Sequence, residues 1–177
     1  MGWFRELLKE KPPYHEEFAN NLYEALVVSG GPAEGSENYL DAEALGVPLT
    51  KLDGFSAKRL ITLEAFLFAA VGMETVSKAE AEGQGDQAEA HKLHRAMGRV
   101  IWQKWTERGI VFDNQYSTGD KCYEEVEQVT ESPVQWSKDW LRDFFDDPMK
   151  VEENCVRWAD QCLKELHTMR LVVRQNL

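Results

Sequence analysis

Glu74, His91 and His94 are the residues whose types best suit chemistry. A carboxylate beside imidazoles can bind a divalent metal or shuttle a proton near neutral pH. His91 and His94 are three apart, so a helix places them on one face. Helical metal signatures ask for more. A di-iron site takes Glu-x-x-His from each of two helices. The residues three before the four histidines are Pro12, Ala88, His91 and Lys164. HExxH is absent as well, which leaves the zinc-protease arrangement without its ligands. The same side chains also have a structural reading: polar pairs that set the register of an otherwise apolar helical hairpin.

Cys155 and Cys162 share an apolar stripe with Val151, Trp158, Leu166 and Met169. Thiols on such a stripe are small core residues. His167 lies about 140° around the helix from Cys162 at ~100° per residue, so one helix does not present both to one metal. Asp139, Asp143, Asp146, Asp147, Glu152 and Glu153 form an acidic cluster without the spacing of a calcium loop. It reads as a solvated face with favourable charge at a helix N-terminus. Neither a phosphate-binding loop nor a dinucleotide fingerprint is present. The sequence names no cofactor.

The elements that must position these residues centre on KRLITLEAFLFAAVGMETV, positions 58–76. Between Leu60 and Met73 the only charge is Glu64. Apolar residues fall on every side of the wheel, as in a helix buried in a core or a membrane. The run falls short of the ~20 residues that span a bilayer, so the expectation is a core helix. It is predicted over 57–82 with Ser56 as N-cap, and the Asp53-Gly54 stretch before it reads as a turn. Gly83-Gln84-Gly85 breaks it, and a second helix follows over 87–108. So short a break makes an antiparallel hairpin. With the turn on Gln84, Leu67 faces Ile101 and Val71 faces Met97. Glu64 then faces Lys104, with Arg108 one turn beyond, and Glu74 faces His94.

Around the hairpin, a helix is predicted over 15–28, ended by Ser29-Gly30-Gly31-Pro32. Short helices are expected over 37–45 and 120–130, and 110–119 is expected to be irregular with a few extended residues. Ser132-Pro133 and Asp147-Pro148 each read as cap and first helical residue. Trp136, Trp140 and Phe144 follow at i+4 spacing. They are expected to share a side that is buried or faces an interface, and if that side is exposed it is a partner surface. The last helix is predicted over 148–173. Trp3, Phe4, Leu7 and Leu8 give residues 1–13 a short amphipathic segment that ends at Pro12-Pro13.

The 177 residues suit one helical domain. The fold expected is an all-α bundle around the central hairpin. A net charge of −11 without a basic stripe disfavours nucleic acid. Three cysteines without paired spacing fit a reducing compartment, hence a cytoplasmic protein. Met1–Lys11 lacks the apolar core of a signal peptide. The expected function is non-catalytic: an interaction or scaffold protein whose partner is another protein or a second copy of this chain. One alternative is a metal-dependent enzyme or sensor using Glu74, His91 and His94. Another is a peripheral membrane protein held by the N-terminal segment, although membrane contact is disfavoured by the length of that segment and its acidic residues Glu6 and Glu10.

Overall fold

The computed structural model describes residues 14–29, 31, 39–82, 87–110 and 115–177. The predicted N-terminal segment, the hairpin turn and residues 111–114 lie outside them. The fold is all-α: among the described residues there are seven packed α-helices and no strand. In order they are α1 (Tyr14–Tyr23), α2 (Ala42–Leu45), α3 (Leu52–Glu82), α4 (Gln87–Glu107), α5 (Gln115–Glu131), α6 (Pro133–Leu141) and α7 (Pro148–Asn176). A π-helical turn, Glu24–Val28, extends α1, and a 3₁₀ turn, Leu49–Lys51, leads into α3.

The centre is α3, packed against α4, α5 and α7. By length and composition it could cross a membrane, but most of its apolar window is buried inside the protein. Leu63, Phe66, Leu67, Ala70 and Val71 are all buried. A helix apolar on every side needs neighbours on every side, and this one has them. Ile101 and Met97 of α4 are likewise buried. The two helices run antiparallel: Glu64 meets Trp105 and Arg108, while Phe68 meets His94, ten and more residues earlier on α4.

Helix α3 begins before the Ser56 cap expected for it. Asp53 and Gly54 form its first turn, where the Asp53 carboxylate suits the positive end of the helix dipole. Helix α5 also starts earlier than expected, at Gln115. Thr118 and Gly119 are weak helix formers, but both are buried against neighbours, and packing overrides propensity. The caps behave as their chemistry requires. Asp41 accepts from the Ala44 amide at 2.7 Å at the start of α2, and Gly46 closes that helix at φ +76°, a conformation glycine adopts without strain. Asp147 accepts from the Met149 amide at 2.9 Å, with Pro148 as first residue of α7. Ser132 precedes Pro133 as expected but its side chain makes no capping bond.

Trp136, Trp140 and Phe144 are buried. They therefore offer no surface to a partner, which corrects the partner-surface expectation. The reason lies in α3 and α7: Trp140 packs 5.1 Å from Phe55 and 4.8 Å from Trp158, ring centre to ring centre. Its indole N–H donates to Thr62 at 3.0 Å, so the polar edge is also satisfied inside. Cys155 and Cys162 are free and buried, in keeping with the apolar stripe.

Candidate functional site

The charged residues of the hairpin divide into two structural anchors and one open site. Glu64, fully buried on α3, is the first anchor. The Tyr23 hydroxyl donates to Oε1 at 2.7 Å and the Trp105 indole to Oε2 at 2.6 Å. Arg108 also donates to Oε1. Lys104, the residue directly facing Glu64 in the expected register, instead places Nζ 5.4 Å from the centre of the Tyr23 ring. Arginine reaches from one turn further and brings a planar fork of donors to a carboxylate that lysine cannot match.

Glu74 is the second anchor, and here the expected pairing with His94 is corrected. Arg170 donates to its Oε1 and Arg174 to its Oε2, each at 2.7 Å, both from α7. Burial alone would raise the pKa of this carboxyl, but the two guanidinium groups overcome it and hold Glu74 below its ordinary range. Its oxygens are spent on α7 and do not join His91 and His94. Among the described residues no three histidine, cysteine or carboxylate side chains converge as a metal-holding group.

His94 turns toward α3 and α5 instead. Its ring lies 4.5 Å from Phe68, and its Nε2 lies 3.2 Å from the hydroxyl of Tyr123 on α5. The tyrosine ring stands edge-on to Phe68 at 5.6 Å. Burial, and then the charge of His91, lowers the pKa of His94, so the imidazole is neutral at pH 7. In its Nδ1–H tautomer it accepts the proton of the Tyr123 hydroxyl. His91 sits at the surface one turn away.

Three glycines clear the space for these rings. A Cβ on Gly72 of α3 would stand 1.9 Å from the Tyr123 oxygen and 3.0 Å from His94 Nε2. On Gly98 and Gly119 it would stand 3.2 Å and 3.1 Å from atoms of the Phe68 ring. Helices α4 and α5 thus close on Phe68 through positions without side chains. They leave a cavity of about 270 Å³ lined by Phe68, His91, His94, Arg95, Asp120 and Tyr123. It falls just below the volume of pockets that hold drug-sized molecules. A larger cleft of about 560 Å³ runs beside Arg59, but that guanidinium is already neutralised by buried Glu165.

The spacing of His91 and His94 is visible in the sequence, whereas the residues that surround them are not. Gly72, alone in a strongly apolar helix, was the available signal, because glycine inside a helix marks a close approach. Arg170 and Arg174 lie about 100 residues from Glu74 and leave no local trace.

The chain matches no known family, no curated protein and no solved structure.

Proposed function

We propose that this is a non-catalytic binding protein whose contact site is the cavity between α3, α4 and α5. The observation that carries the reading is the His94–Tyr123 pair, held over Phe68 where Gly72, Gly98 and Gly119 let the rings pack closely beside the cavity. The pair offers a hydroxyl and an imidazole to a ligand, and the rings offer an apolar wall. Ligand sites have this composition: mostly apolar lining with a few converging polar groups. The two carboxylates that would otherwise give the hairpin chemistry, Glu64 and Glu74, are consumed in holding helices together.

Saturation-transfer NMR with phenol, benzyl alcohol and indole tests this. Transfer to at least one probe is expected, and Tyr123→Ala should remove it. Tyr123 is partly exposed, so the substitution leaves the core intact. No transfer to any probe, or transfer unchanged in the variant, contradicts the reading.

A further inference from the structure

Most of the arginines that line or cross this fold are matched. Arg59 pairs with Glu165, Arg99 with Glu16, Arg108 with Glu64, and Arg142 with Asp139. Arg170 and Arg174 share Glu74. Arg95 does not follow this pattern. It lines the aromatic cavity from α4, and among the described residues it makes neither an ion pair nor a hydrogen bond. Arg157, exposed on α7, is the other described arginine without a partner, but only Arg95 lines this cavity. Asp120 lines the same cavity from α5 and is also without an ion-pair partner among the described residues. The two therefore leave one positive and one negative group on one cavity without neutralising each other.

From this arrangement we infer that the cavity takes a small zwitterion with an aromatic body, the chemical class of the free aromatic amino acids. The inference rests on the reading of the cavity as a binding site. An aromatic ring suits the Phe68 and Tyr123 rings, which prefer offset or edge-to-face neighbours. A carboxylate alone would meet Arg95 but be repelled by Asp120. An amine alone would meet Asp120 but be repelled by Arg95. A molecule carrying both charges gains from each, and the Arg95 fork suits a carboxylate in two-point contact. The volume agrees, since about 270 Å³ admits one ring with a short charged tail. The chain's overall charge of −11 does not decide the matter. At physiological salt, charges more than ~8 Å apart are largely screened, so the two groups at the cavity dominate.

Calorimetric titration of the full chain with four probes tests the class: L-phenylalanine, phenylacetate, 2-phenylethylamine and neutral 2-phenylacetamide. L-Phenylalanine should bind about tenfold or more tighter than either singly charged probe, the factor one charge-assisted contact supplies. Arg95→Gln should weaken L-phenylalanine about as much and leave 2-phenylethylamine no weaker. Asp120→Asn should weaken L-phenylalanine and leave phenylacetate no weaker. Both residues are exposed, so neither change threatens the fold. Equal binding of a singly charged probe and L-phenylalanine overturns the inference, as does indifference of L-phenylalanine to Arg95→Gln. Binding of 2-phenylacetamide as tightly as L-phenylalanine overturns the zwitterion class while the cavity remains a binding site. Binding of none of the four overturns both.

Discussion

Glu64 and Gly72 illustrate opposite uses of single residues on one helix. Glu64 is a charge placed where its cost is high, and three donors, from α1, from α4 and from Arg108 just after α4, make it tolerable. Glu64→Ala should lower the unfolding free energy by about 2–4 kcal/mol, because it removes the buried acceptor shared by Tyr23 and Trp105 and the counter-charge of Arg108. Urea unfolding measures this, and a loss below ~0.5 kcal/mol would mean the three donors find other partners without cost. Gly72 is an absence that matters. Gly72→Ala brings a methyl into the place of the Tyr123 oxygen, and Tyr123, being partly exposed, can swing out. The stability change should stay within about 1 kcal/mol, since alanine also favours the helix. His94 should then lose the ring that covers it, and its NMR titration midpoint should rise toward the ordinary ~6.5. An unmoved midpoint would show that Tyr123 is not what buries His94.

The same histidine links the site to stability. Its folded pKa is lowered, by burial first and then by His91. The unfolded chain therefore binds a proton at His94 more readily than the folded one. Stability from this group is present above ~6.5 and is lost as pH falls through the lower folded value. Between pH 7.5 and 5.5 the wild type should lose stability relative to His94→Gln. Glu165 and Glu125, whose pKa values burial raises, act equally in both proteins, so the difference between the two isolates His94. Equal slopes would contradict the assignment.

At the scale of elements, local chemistry was legible and distant chemistry was not. The apolar run around Phe66 announced a core helix, and Asp147-Pro148 announced the start of α7. The caps and breakers act within a few residues of themselves, so the sequence displays them directly. Pairing between helices depends on side-chain length and direction as much as on register. Arg108 took the place expected of Lys104, and Glu74 turned from α4 to α7. The start of α5 was missed because Thr118 and Gly119 are helical for the sake of packing, not propensity. The stripe on α7 gives a further test. Cys155 and Cys162 face the core, and burial raises the pKa of the Cys162 thiol despite the charge of Arg59 nearby. Both should react with an aromatic disulfide reagent in the native state only as fast as the protein opens. Immediate labelling of either, in protein that remains folded, would place that thiol at the surface.

For the whole molecule, polar groups inside an all-α core serve two ends. Arg59 with Glu165, Arg108 with Glu64 and the two arginines on Glu74 tie α3 to its neighbours. Breaking such pairs costs more than replacing both partners by apolar groups, so they register the helices more than they add net stability. The cavity at His94 is where this pattern is relaxed. Its rings pack closely against glycine, but its charges are unmatched. The most direct test is amide-shift mapping of the full chain by NMR during titration with indole. The expected result is a cluster of shifts confined to residues 91–98 and 117–123, with Phe68 and Gly72 responding on α3. Shifts scattered over the surface, or gathered at the cleft beside Arg59 while the residues around His94 stay silent, would contradict it.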